Sequence, residues 1–117
     1  MLSGDTLGIM LAMTRVQTLS GARAVTSASG FFFRRDDRLF LITSRHVCFD
    51  GPSDHVPDGV AVAIHADAVD LTRVQTLRLP LYVDGHASWH QAEDGGGDVD
   101  VAAIEIPHAL LPQRHAL

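Results

Sequence analysis

The stretch Leu39-Phe40-Leu41-Ile42-Thr43-Ser44-Arg45-His46-Val47 decides how the rest of the chain is read. Four large apolar residues in a row leave no polar face, which predicts a central β-strand covered by protein on both sides. Polar Thr43-Ser44-Arg45 and then His46 follow at once, so the strand delivers an imidazole at its end. Upstream, Ser27-Ala28-Ser29-Gly30 and Phe31-Phe32-Phe33 lead into the turn-like Arg34-Arg35-Asp36-Asp37-Arg38, the pattern of a hairpin whose second strand is the apolar run. A strand pair of this kind aims a side chain from a rigid support, as catalytic groups require.

Working outward, Thr14 to Leu19 alternates and is rich in β-branched types, a first strand broken at Gly21. The second strand spans about Val25 to Phe33 and the third Leu39 to Ser44. Phe49 to Gly59 is dense in Gly, Pro and Asp and reads as a surface loop. Val60, Val62 and Ile64 share one face of a fourth strand ending at His65. Leu71 to Val83 gives a fifth strand, long and bent near Pro80, where a missing ladder donor implies an edge or a bulge. Gly85 to Gly97 reads as a second irregular loop, and Val99 or Asp100 to Ile106 as the sixth strand, closed by Pro107. Thr-Arg-Val-Gln-Thr-Leu occurs at 14 to 19 and again at 72 to 77, but the flanks differ, which argues against a repeat architecture. Six short strands without a long helix predict an all-β fold, a six-stranded antiparallel β-barrel over residues 14–107. Residues 1–13 form an apolar lead-in of a helical turn or two, and 108–117 a tail or linker.

Composition narrows the function classes. The chain has 117 residues, room for one domain, and a net charge of −5; all nine basic residues are arginine. Nothing forms a basic stripe, which disfavours nucleic acid as a partner. Leu7 to Met13 is too short to span a bilayer, and Asp5 stands where a signal peptide needs basic residues, so no membrane is expected and a cytoplasmic location is favoured. Cys48 is the only cysteine, so no intrachain disulfide supports the core.

The small-small-Gly-aromatic pattern followed by Ile42-Thr43-Ser44-Arg45-His46-Val47 is similar to the histidine motif of trypsin-like serine peptidases, especially the bacterial branch carrying Thr-Asn-Arg-His-Val. Asp98-Val99-Asp100-Val101-Ala102-Ala103-Ile104-Glu105-Ile106 resembles the aspartate motif of the same family, and the two come in the family's order. The resemblance covers nearly the whole chain and implies the first of the two barrels of a trypsin-like fold. It also implies that His46 is the general base and Asp100 its orienting carboxylate. The parity of the last strand independently prefers Asp100 to Asp98 for a rim position: Asp100 is in phase with Ala102, Ile104 and Ile106, whereas Glu105 is in phase with Val101 and Ala103. The bland alternative is that both aspartates merely end a glycine loop.

The third catalytic member is missing. Family serines occupy a Gly-x-Ser-Gly turn in a second barrel, and none of Ser3, Ser20, Ser27, Ser29, Ser44, Ser53 and Ser88 has that context. The resemblance therefore implies the N-terminal half of a peptidase, inactive alone, with a peptide or protein substrate, a missing C-terminal barrel as partner, and no cofactor. An apolar face left by that barrel predicts self-association. The competing reading is a catalytically dead binding or scaffold module. Weaker constellations are His86 and His90 at the spacing of a helical zinc pair, Cys48 as a nucleophile beside His46, and the acidic run Glu93 to Asp98 as a calcium loop. Loop context, poor i+2 geometry and the absence of EF-hand spacing argue against them in turn.

Overall fold

The computed structural model describes residues 9–51, 55–65, 69, 72–94 and 97–111. Its elements are β1 (Ile9–Ser20), β2 (Arg23–Arg35), β3 (Arg38–Thr43), a one-turn helix α1 (Arg45–Cys48), β4 (Gly59–His65), β5 (Val74–Pro80), β6 (Tyr82–Val83), β7 (His86–Ala87), β8 (Trp89–Asp94) and β9 (Gly97–Ile106), followed by a 3₁₀ turn at His108–Leu110. All-β architecture is as expected. The main sheet is antiparallel with the order β5-β4-β1-β2-β3-β9-β8, curling as a half barrel.

Where six strands were expected, the main sheet has seven, and β6 and β7 form a separate ribbon. The difference lies in what the sequence presents as one bent strand and one loop. β5 ends at Pro80, and Leu81 turns the chain, its N–H donating to the Asp58 carbonyl and its carbonyl accepting from Ser88 N, 2.9 Å each. Between them, Asp84 (φ 53) and Gly85 (φ 78) make the mirror-image turn favoured by tight hairpins. The supposed loop from Gly85 to Gly97 then contains β8, paired with β9 from Trp89↔Ile104 to Asp94↔Gly97. The two edge strands of the main sheet, β5 and β8, are thus joined along the chain by the β6–β7 ribbon.

The lead-in segment is also corrected. Ile9 to Met13 is extended, not helical, because it continues β1 across from Phe33 and Phe31. Residues 1–8 and 112–117 lie outside the described set.

β3 is central, paired to β2 on one side and β9 on the other, but only one of its faces is fully covered. Leu39, Leu41 and Thr43 point into the core, while Phe40 and Ile42 are half-buried on the outer face. There the Arg38 guanidinium lies 5.2 Å from the Phe40 ring centroid and makes two hydrogen bonds to Glu105, so a cation substitutes for a second protein layer. Phe31 and Phe33 share that outer face, which also exposes Met13 and Val101. Inside, Leu41, Val16, Val60, Val62, Ile104 and Ile106 anchor one continuous cluster.

Gly30 sits where β2, β1 and β3 meet. A Cβ there would lie 2.7 Å from the Ile42 carbonyl oxygen and 3.0 Å from Val16 Cγ2. Backbone does not move aside cheaply, so Gly30→Ala is expected to destabilise the fold by about 2 kcal/mol in urea unfolding. Gly51→Ala, whose Cβ would meet only Phe49 at 3.4 Å, should change stability by less than about 0.5 kcal/mol.

Candidate functional site

The site begins where β3 stops. Thr43, buried, donates its hydroxyl to the Ser29 carbonyl at 2.9 Å and pins the end of the β2–β3 ladder. Ser44 stays extended, and α1 follows, so His46 stands in the first turn of a short helix and not at a strand end as the sequence suggested. First-turn N–H groups have no partner within their own helix. The Ser44 side chain makes no capping bond here. Instead Asp100 of β9 accepts the His46 backbone N–H on Oδ1 at 3.0 Å.

The same carboxylate holds the imidazole, with Asp100 Oδ2 2.7 Å from His46 Nδ1. A carboxylate is acceptor-only, so Nδ1 carries the proton and Nε2 keeps its lone pair in the neutral ring. Among the described residues Nε2 has no hydrogen-bond partner. Asp100 is held below the usual carboxylate range, first by the hydrogen bond from the His46 ring and then by the His46 backbone N–H, against a small desolvation; the charges of His46 and Arg45 act in the same lowering direction. Both side chains are about half exposed, 58% for His46 and 52% for Asp100, so the pair is open to water on one side.

The parity argument for Asp100 agrees with the burial of β9: Ala102, Ile104 and Ile106 are in the core, and Asp100 is at its rim. The side chain of Asp98 is outside the described set. Cys48, behind His46 on α1, is fully buried, and burial pushes its thiol up to about 11, which suits packing and not attack. His86 lies in the β6–β7 ribbon and His90 in β8 opposite Ala103, so their spacing does not align them on a helix. No group of three metal-ligating side chains occurs among the described residues. Glu93 and Asp98 pair across the β8–β9 hairpin, with side chains outside the described set.

Two contributors escaped the sequence reading. Arg45 presents a positive charge to Asp100, and its Nε is buried without a hydrogen-bond partner. Its position directly before His46 was visible, but not the direction of its charge. His55 closes the loop after α1: it exchanges backbone bonds with Asp50, and its Nε2 donates to the Val47 carbonyl at 2.9 Å. His46, Asp50 and His55 line one cleft of about 420 Å³ with Ser27 and Ala28. No sequence signal pointed to that cleft.

In comparisons with known proteins, no family model, no curated protein and no solved structure matches this chain.

Asp100→Asn separates the two bonds that the carboxylate makes. The amide can accept from only one of them with its single oxygen, so the His46 ring is expected to lose its preference for the Nδ1–H tautomer, read by ¹⁵N NMR of the imidazole. The lowered pKa of Asp100 also fixes the pH sign. Its stabilising contribution is full above the unfolded carboxylate value of about 4 and is lost as pH falls through the lower folded value. The variant should therefore show a shallower acid loss of stability below about pH 4 and no change in slope above it. Cys48 should resist iodoacetamide at pH 8 in the folded chain and react once urea unfolds it, read by mass spectrometry.

Proposed function

We propose that this chain is the histidine- and aspartate-bearing half of a trypsin-like serine endopeptidase, its curled sheet forming the first of two barrels. One observation carries the reading: the two-point contact of Asp100 with His46, which leaves Nε2 facing outward with its lone pair free. In this reading, a serine from a second barrel places its hydroxyl at Nε2. As Oγ attacks the scissile carbonyl, its proton passes to His46, and Asp100 stabilises the imidazolium through Nδ1–H. His46 then gives that proton to the leaving amine, producing an acyl-enzyme that water, activated by the same imidazole, hydrolyses. The oxyanion is held by backbone N–H groups of the serine's own turn. The substrate is a peptide or protein, and the chemistry calls for no cofactor.

The half-exposed state of the pair supports a missing cover. Charges facing water are screened and weakly coupled, while the same pair under a second barrel is coupled more strongly. The outer apolar strip at Phe31, Phe33, Phe40 and Ile42 gives this half a surface on which copies self-associate when expressed alone. A scaffold module that keeps the fold without chemistry is the competing reading, and the same experiment separates the two.

The chain alone should not label with a fluorophosphonate probe. Joined to a downstream segment containing a Gly-x-Ser-Gly turn, it should label on that serine and cleave peptide substrates. His46→Ala in the joined protein should lower the rate by at least about 10³-fold, and Asp100→Asn by up to about 10⁴-fold. Labelling of the isolated chain would refute the absent-nucleophile account, and an active joined protein indifferent to His46→Ala would leave only the scaffold.

A further inference from the structure

β2 is longer than its partner on one side. It pairs with β1 from Arg23 to Phe33, but with β3 only from Gly30 to Arg35. On its side away from β1, the segment from Arg23 to Ser29 therefore has no neighbouring strand among the described residues. The Ser29 carbonyl faces that side, since it accepts from Thr43 Oγ1. By the two-residue alternation of an antiparallel strand, the peptide groups of Ser27 face it too.

A second wall faces this edge. The loop after α1 is closed by the Asp50–His55 bridge and continues through Val56 and Pro57 toward β4. Between edge and loop lie the cleft at His46 and another of about 310 Å³, lined by Ser20, Arg23, Val25, His55, Val56 and Pro57. His55 borders both, so the two are successive parts of one groove.

The far cleft has its own chemistry. A bulge displaces Val25, because Thr18 pairs with Thr26 and Leu19 with Ala24, leaving Val25 as the extra residue. Val25 is 49% exposed, and Val56 across the groove is 58% exposed. Arg23 is exposed and has no acidic partner among the described residues. Asp58, at the same turn, has its Oδ2 engaged by the Gly21 N–H at 2.8 Å. An unpaired cation beside two exposed valines along an open strand edge suits an extended chain that alternates apolar and acidic side chains.

The geometry points to the cleft at Arg23, Val25 and Val56 as a remote subsite for an extended polypeptide, taking a carboxylate side chain against Arg23 and an apolar side chain between the two valines. With Val25 bulged, Ser27 to Arg23 matches only the span from Gln17 to Ser20 on β1, about 10 Å, so this subsite reads a residue about three positions beyond those lying at His46. That the polypeptide is a substrate rests on the peptidase reading above; that it binds here does not.

The test uses the 117-residue chain, ¹⁵N-labelled, and two capped hexapeptides, one alternating valine and glutamate and the other valine and lysine. The glutamate peptide is expected to shift amide signals between Arg23 and Ser27 and at Val56, and to bind more tightly than the lysine peptide. Arg23→Glu should weaken the glutamate peptide about 5- to 10-fold and reverse the preference, while Arg73→Glu, outside the groove, leaves it unchanged. The readout is binding alone, with no hydrolysis assayed, so a failure of the hydrolytic reading leaves this result standing. Absence of shifts at millimolar peptide, shifts confined to other strands, or affinity untouched by Arg23→Glu would each overturn the subsite.

Discussion

One carboxylate caps a helix and orients a ring. Asp100 gives one oxygen to the His46 backbone N–H and the other to the same residue's imidazole, so the backbone placement and the side-chain rotation of His46 have a single cause. Strand register puts Asp100 there. Thr43 is opposite Ala102, and two steps farther along β9 the carboxylate meets the chain just as it leaves β3 for the helical turn. A slip of one residue in that pairing would send Asp100 and Ile104 to the outer face and turn Val101 and Glu105 inward. Burial of the Ala102, Ile104 and Ile106 face thus fixes the site geometry, and the apolar core energetically enforces a polar contact at its rim.

The end of β3 shapes its surroundings in a second way. Gly30 allows the close approach of the Ile42 carbonyl, and Thr43 takes the Ser29 carbonyl that would otherwise meet the next strand residue. Beyond that point β3 has become α1, and β2 runs on with β1 on one side and, among the described residues, no strand on the other. The abrupt change from strand to helical turn that lifts His46 out of the sheet also opens the groove next to it. The placement of His46 and the groove beside it share one local cause.

The features legible in the sequence were those set by local periodicity. β2, β3, β4 and β9 followed their apolar patterns, and parity along β9 singled out Asp100 before any contact was known. What the sequence hid was decided by partners far along the chain. The hexapeptide Thr-Arg-Val-Gln-Thr-Leu makes the point: the first copy lies in β1 and the last four residues of the second in β5, the two strands flanking β4, yet Val16 and Thr18 of the first are buried while Val74 and Thr76 of the second are exposed. Register decided the face: Val16 and Thr18 lie opposite the buried Val62 and Val60, whereas Val74 and Thr76 lie opposite His65 and the exposed Ala63. Trp89 to Asp94 was hidden similarly, since glycines and a histidine pair masked a strand that exists by virtue of pairing with β9. Phe40 and Ile42 misled in the other direction, being half-buried on an outer face where the Arg38–Glu105 pair, which no linear pattern announces, lies against Phe40.

Solvent gives the site its remaining constraint. An imidazole and a carboxylate at 2.7 Å, each half in water, are well oriented but weakly coupled, because water screens them and competes for the same hydrogen bonds. Orientation is the costly part of assembling such a pair, since it fixes two side chains and a helix start, and here core packing and backbone capping have already supplied it. Desolvation is the part a single curled sheet does not supply. Covering the open side would remove competing water and raise the cost of an unpaired Asp100, so the same contact would hold the imidazolium more strongly without any atom of this chain moving far. The geometry of the contact is thus set by the core and the register of β9, while its strength is limited by the water on its open side.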